Sequence, residues 1–321
     1  MALYGPRGTR RILPPLVFGA GVLAHLLFAG RRYDAVQTPS FPYFSLLAAG
    51  LVRPLWRYRL LVDWFEVWTA DYWREYLGDV GGRIGLAVQR LCARVPQRAF
   101  CLSRLHAERL RGEGLRGEVQ ILGGSYAGDA EPGAAREPEP VVLYAGRHIA
   151  EKRVPAIVPA LAAARRQAPE LRGRILGDGP ERPAVLHAIS EHGLEDAVTA
   201  PGFVAADEVR GELERALCLV LPSRREGYGL VVVEAAAAGT PSVVVSDPDS
   251  AAGELIEEGE NGFLAASAEP EVLAAAILRV RDEGMGLRER TLEWFRRNAE
   301  RVSLERSLRT VVESYEDTSS R

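Results

Sequence analysis

Short apolar runs recur along the chain, each closed by a turn residue and followed by a longer mixed stretch. Val141–Ala145, Ala216–Leu221 and Ser242–Val245 are unbroken apolar or small-residue runs, the pattern of strands buried on both faces of a parallel sheet. Tyr33–Gln37, Tyr58–Val62, Ala99–Leu102, Arg174–Leu176 and Val198–Val204 predict further strands. Between them the 3.6-residue period predicts helices over Phe41–Ala49, Arg83–Arg94, Pro155–Ala168 and Leu230–Ala238, with others starting near Pro270, Met285 and Leu304. Ser103 is a natural N-cap for a helix running to Arg111. Strands alternating with helices make an α/β protein with parallel sheets. Gly123–Pro140, rich in Gly, Ala, Glu and Pro and without periodicity, separates the two series as a linker.

The first apolar stretch, Ile12–Ala29, is interrupted only by His25 and flanked by Arg10, Arg11, Arg31 and Arg32. Its length allows a membrane-spanning helix. Pro14-Pro15, two glycines and basic residues on both sides favour a core helix packed on a sheet. It also contains Gly19-Ala20-Gly21-Val22-Leu23-Ala24, a match to the dinucleotide fingerprint, which would make the protein an NAD-type oxidoreductase. That fingerprint needs a full strand before it, and only Leu16-Val17-Phe18 precedes it here, after two prolines.

The stretch from Ser223 to Pro241 carries the most chemistry. Gly227 and Gly229 allow a sharp turn and close approach to a ligand after the strand ending at Leu221. The following helix puts its N-terminus at the carboxyl edge of a parallel sheet, where anions bind. Glu234 is the only charged residue between Glu226 and Asp247, on a helix otherwise made of Leu, Val and Ala. A carboxylate placed one turn below a glycine loop can accept two hydrogen bonds from a ribose diol while the loop amides take phosphate.

Glu226-Gly227-Tyr228-Gly229 with Glu234 resembles the Glu-x7-Glu signature of the retaining glycosyltransferases of family four. The resemblance implies the GT-B architecture, two Rossmann-like parallel-sheet domains facing across a cleft. It implies that Glu234 holds the donor ribose, that Glu226 lies against the donor sugar, and that Gly229 and Leu230 with Gly227 meet the diphosphate. Arg147 and Lys152, in the loop Gly146–Lys152, match the Arg and Lys that the family sets on the donor diphosphate. The turns at Asp178-Gly179 and at Val204 fall where the family flanks the nucleotide base. Catalysis would rest on Glu226, Arg147 and Lys152, with no protein nucleophile, metal or cofactor. A pyridoxal-dependent phosphorylase would need a Schiff-base lysine, and Lys152, the single lysine, is better explained by phosphate.

The family also opens with a strand and a glycine-rich loop, and often places a His after the strand equivalent to Tyr58–Val62. Nothing before Tyr33 has the first form, and Asp63, Phe65 and Glu66 occupy the second region. These departures imply an N-terminal domain that starts late, and an alternative reading as a nucleotide-sugar-binding protein with little turnover. The domains expected are residues 1–125 on the acceptor side, a linker over 126–140, the nucleotide-sugar domain over 141–302, and a last helix over 303–321 returning to the first domain. Asp247-Pro248-Asp249 imitates the metal-binding Asp-x-Asp of the GT-A class, but after Val243–Val245 it reads as a polar loop.

Composition narrows the partners. A length of 321 residues suggests two domains, and a net charge of −3 gives no sign of nucleic-acid binding. Cys92, Cys101 and Cys218 have no metal or redox spacing and read as reduced packing residues, which suggests the cytoplasm, with a location peripheral to the inner membrane face also open. Trp56 and Tyr58 among Arg53, Arg57 and Arg59 fit either a lipid-headgroup contact or a sheet-edge cluster. The partners expected are a nucleotide-diphosphate sugar donor and a sugar, lipid-linked or small-molecule acceptor.

Overall fold

The computed structural model describes residues 12–131 and 133–316. Arg10 and Arg11, Pro132 of the expected linker and residues 317–321 of the expected last helix lie outside the described residues. The chain divides into two compact units, one running up to Gly123 and including the stretch from Ser307 onward, the other Gly124–Arg306.

The first unit contains α1 (Leu13–Ala29), β1 (Ala35–Pro39), α2 (Phe44–Trp56), β2 (Arg59–Asp63), α3 (Ala70–Ala93), β3 (Gln97–Cys101), α4 (Arg104–Gly112) and β4 (Gly117–Ile121). Its four strands form a parallel sheet in the order β1-β2-β3-β4. Tyr58, Leu60, Val62, Trp64, Cys92 and Leu110 pack into one buried core. Ser103 caps α4 as its side-chain oxygen accepts from the His106 amide. Gln89, wholly buried, joins the aromatic residues: its Oε1 accepts from the Tyr43 hydroxyl at 3.0 Å and Trp73 Nε1 at 3.1 Å.

α1 is helical as expected, but it is not a core helix on a sheet. Gly19 and Leu26 are its only buried residues, while Leu13, Val17 and Phe28 are 60%, 52% and 86% exposed. A Cβ on Gly19 would stand 2.5 Å from Phe44 Cβ, so α1 lies backbone-close along α2. That approach buries a narrow strip, and an all-apolar helix therefore turns much of its surface outward. Gly19 to Ala24 is continuous helix, without the strand and turn that dinucleotide binding requires.

The second unit contains β5 (Val141–Ala145), α5 (Ile157–Arg165), β6 (Arg172–Leu176), α6 (Arg182–Glu191), β7 (Val198–Gly202), α7 (Ala206–Arg215), β8 (Cys218–Leu221), α8 (Leu230–Ala237), β9 (Ser242–Val245), β10 (Gly262–Ala265) and α9 (Pro270–Val302). α10 (Leu304–Glu316) closes the chain. Gly284, at φ 56°, breaks α9 where the sequence predicts separate helices from Pro270 and Met285. The sheet is all parallel in the order β10-β9-β8-β5-β6-β7. Its order reverses between β5 and β8, which makes a topological switch point at the carboxyl ends of those strands, the place where such sheets bind ligands.

Residues 124–140 contain no helix or named strand among those described, yet both ends are tied down. Tyr126 exchanges backbone hydrogen bonds with Val302 and Leu304, and the Glu139 amide donates to the Arg215 carbonyl. All three cysteines are free and at most 1% exposed, and burial pushes each thiol well above its ordinary range.

Candidate functional site

The switch point of the second unit gathers most of the residues the sequence singles out. After β5 the chain makes two short 3₁₀ turns, Ala150–Lys152 and Val154–Ala156, rather than entering a helix at Pro155. The first turn presents Lys152 to the loop after β8. There Lys152 Nζ lies 2.5 Å from Glu226 Oε1 and donates to the Arg225 carbonyl at 3.3 Å. The Arg224 amide donates to the Glu151 carbonyl at 2.8 Å, so the two loops are also joined through backbone. Ser223, buried, donates from its hydroxyl to Glu226 Oε1 at 2.9 Å. Glu226 is thus oriented from two sides.

Arg147 is exposed, and its side chain makes no hydrogen bond or ion pair among the described residues. Its carbonyl accepts from the Tyr144 hydroxyl at 3.0 Å. Burial pushes that hydroxyl's pKa up, helped by the negative charge of Glu226 and opposed by Arg147. Tyr144 therefore stays protonated and fixes the turn that carries Arg147.

The loops after β5 and β6 run together backbone to backbone. The His148 amide donates to the Asp178 carbonyl at 2.9 Å, and the Glu181 amide donates back to the His148 carbonyl at 2.9 Å. Glycine is required here: a Cβ on Gly179, at φ 154°, would stand 2.3 Å from the His148 carbonyl oxygen. Asp178 turns its carboxylate onto the Gly179 amide, at 2.7 Å. Val204 follows β7 in the next loop, after Phe203, which is 85% exposed.

α8 begins at Gly229, which takes the left-handed conformation at φ 100°. A Cβ there would stand 2.8 Å from Ala252 Cβ. The helix N-terminus starting at Leu230 has no side-chain cap, and while the Val232 amide turns back to the Gly229 carbonyl at 2.9 Å, a helix N-terminus of this kind is where anions bind. Tyr228 beside it is buried and its hydroxyl is pushed up to about 12, mainly by burial. Glu234, half-buried, makes no side-chain hydrogen bond or ion pair among the described residues. Burial lifts its carboxyl above the ordinary range, an effect that Arg210 opposes. An unsatisfied, partly desolvated carboxylate one turn below a helix N-terminus is an acceptor awaiting donors.

Sequence reasoning left three contributors without a role. Arg153, left-handed at φ 48°, donates to the Pro222 carbonyl and to Asp247 Oδ2, both at 2.9 Å, and so ties together the ends of β8 and β9. Asp247 is thereby engaged in an ion pair, as suits a polar loop. Among the described residues no cluster of His, Cys, Asp and Glu could hold a metal. Ser223 sits three residues before Glu226, a spacing with no period to mark it. His148 is wholly buried beside the Tyr144 ring, and neither ring nitrogen has a partner at hydrogen-bonding geometry. Burial keeps it neutral, against the pull of the Leu176 carbonyl and Asp178.

In the first unit, β2 ends on Asp63, held by Gln37 Nε2 at 3.0 and 2.9 Å, and burial raises its carboxyl pKa. Phe65 is 56% exposed, and Glu66 accepts from Trp68 Nε1 at 3.0 Å.

Two Rossmann-like units with parallel sheets are the ingredients of the GT-B fold. The UDP complex of HepE from Anabaena superposes with a TM-score of 0.74 at 19% identity, over 94% of this chain and 82% of that one. Sucrose-phosphate synthase from Thermosynechococcus elongatus superposes with a TM-score of 0.77 at 21% identity, over 98% and 80%. At such identities the likeness establishes the fold.

The chain belongs to the family described as glycosyl transferases group 1, whose profile matches residues 129–301, more than half of its length. Among curated relatives, alpha-D-kanosaminyltransferase of Streptomyces kanamyceticus is 34% identical over 48% of this chain and 39% of its own. Glycogen synthase of Mycobacterium tuberculosis is 34% identical over 54% of this chain and 42% of its own. The chain is therefore matched over about two fifths of these relatives' length.

Proposed function

We propose that the protein is a retaining glycosyltransferase of family four that moves a sugar from a nucleotide-diphosphate donor to a sugar, lipid-linked or small-molecule acceptor, without a metal. The observation that carries this reading is the Lys152–Glu226 pair set beside the uncapped N-terminus of α8, with the unsatisfied Glu234 one turn below. Glu234 accepts from the two ribose hydroxyls. The amides of Gly229 and Leu230, with Gly227 in the turn, meet the diphosphate, and Arg147 and Lys152 add positive charge. The loops at Asp178-Gly179 and Val204 flank the base. Glu226 faces the donor sugar.

Retention fits a front-face displacement in which the leaving diphosphate takes the acceptor proton. Charge grows on the diphosphate as the glycosidic bond breaks, so fixed positive groups there stabilise the transition state more than the ground state. Such a device asks for neither a nucleophile nor a divalent cation. The names of the kanosaminyltransferase and glycogen synthase relatives, and the UDP bound to HepE, support a nucleotide-sugar donor. Residues 1–125 would carry the acceptor side, 126–140 the linker and 141–302 the donor domain, with the last helix returning to the first.

Calorimetry with UDP, ADP and GDP against their nucleosides tests the reading, and product stereochemistry by nuclear magnetic resonance tests retention. Affinity for one diphosphate at least tenfold above its nucleoside is expected, unchanged by a chelator. Equal affinities would overturn the donor assignment. Donor binding without transfer to any acceptor would select a binding protein instead.

A further inference from the structure

The outward faces of α1 and α2 are unexplained by donor binding. Exposed Leu13, Val17, Leu27 and Phe28 recur at helical spacing and form one stripe along α1, which Arg31 continues. α2 runs beside it in the same direction: Gly19 meets Phe44 and Gly30 meets Trp56. The two helices therefore end together. At that shared end Leu51 and Leu55 of α2 are 72% and 59% exposed. Four arginines surround it, Arg31, Arg32, Arg53 and Arg57, and none makes an ion pair among the described residues. Asp34 is the single acidic residue from Ile12 to Val62.

We infer that this surface docks on an anionic lipid bilayer, with α1 lying in the interface rather than crossing it. Monomeric proteins seldom leave an apolar stripe of this length open to water. Stripe and arginines together match an interfacial helix, whose apolar face enters the acyl boundary while cations meet the headgroups. Trp56, half-buried between the two helix ends, places an aromatic ring at the level of these arginines, as interfacial aromatic residues do. A second copy of the chain is a poorer occupant, since two-fold pairing would set the arginine cluster against itself. A spanning segment is poorer too, because one side of α1 is already packed on α2 through Gly19 and Gly30. None of this depends on the glycosyltransferase reading.

The test is flotation of the full chain with vesicles of phosphatidylcholine alone and of phosphatidylcholine with a third phosphatidylglycerol. Binding to the anionic vesicles should exceed binding to the neutral ones by about tenfold or more and be released by molar salt. Arg31→Gln with Arg32→Gln should lower it about tenfold or more, and Phe28→Ser should lower it without changing the melting temperature, its ring being 86% exposed. Equal binding to both vesicles, or none at low salt, overturns the proposal. So does binding that survives salt and alkaline extraction, which would make α1 a spanning segment. A dimer in light scattering that Phe28→Ser abolishes, with no vesicle binding, would make a second copy the occupant. Nucleotide calorimetry on the same samples keeps the donor reading separate, because no arm of the vesicle assay contains nucleotide.

Discussion

Lys152 Nζ and Glu226 Oε1 lie 2.5 Å apart, with 15% and 13% of their side chains exposed, so the chain's one lysine is held as half of a shielded ion pair. Seen in sequence, Lys152 stands outside any predicted core run, and its loss should hardly affect folding. The pair changes that expectation.

Lys152→Met should lower affinity for a nucleoside diphosphate by about tenfold or more, the scale of a charge-assisted hydrogen bond, and leave nucleoside affinity nearly unchanged. It should also lower the melting temperature, because Glu226 is left charged and short of a partner. Lys152→Met combined with Glu226→Gln should recover part of the melting temperature and none of the diphosphate affinity. Calorimetry and thermal denaturation of the parent and the two variants measure both. A single variant as stable as the parent would show the pair to be a solvated contact.

Glu234→Gln should weaken nucleotide binding by about 1.5–3 kcal/mol and stabilise the unliganded protein at neutral pH. The sign follows from the carboxyl pKa, raised in the folded state by burial. A raised acid binds its proton more tightly when folded, so ionising it costs stability as pH climbs through the unfolded and then the folded value. Glutamine escapes that cost, a trade of stability for function. In the parent, nucleotide affinity should decline on acidification from above the ordinary glutamate value of 4.5, and in the variant this dependence should vanish. Identical pH profiles would remove the ribose role.

Gly229→Ala should reduce stability by about 1 kcal/mol or more and abolish measurable diphosphate binding. The residue sits at φ 100°, and an added Cβ would press on Ala252 Cβ from 2.8 Å, so the first turn of α8 must shift. Denaturant titration and calorimetry would check the two effects. Full diphosphate affinity in a destabilised variant would place the anion elsewhere.

Limited trypsin digestion should cut first after Arg136. Tyr126 and Glu139 are anchored by backbone hydrogen bonds, and Arg136 between them is 73% exposed at its side chain, with only a surface ion pair to Glu214 at 3.4 Å. Mass spectrometry should find a fragment beginning at Glu137 that still binds nucleotide diphosphate. A first cut within β5 to β9 would contradict the domain division.

What could be read from the sequence follows from where apolar burial is complete. β8 and β9 are buried at every position, so their continuous apolar runs announced them, and Glu234 stood out because nothing near it in sequence shares its charge. Ser103 carried its cap in its own side chain, and the separate helix starts near Pro270 and Met285 anticipated a break that the structure puts at Gly284. β4 went unseen because four of its five residues are exposed at the sheet edge, leaving no alternation to detect. Ser223 and Arg153 act on partners brought near by the fold, so no local pattern could mark them. α1 showed its helix but not its place: a helix apolar all round carries no sign of which side will be covered.

The three thiols divide unevenly between the units, Cys92 and Cys101 in one and Cys218 in the other, and all are shut away from solvent. A native molecule should thus be silent to iodoacetamide, and every adduct records an opening event. Because the labelled position names the unit that opened, the chain contains its own pair of clocks. Their rates, compared with and without nucleotide, would reveal whether donor steadies one unit or both.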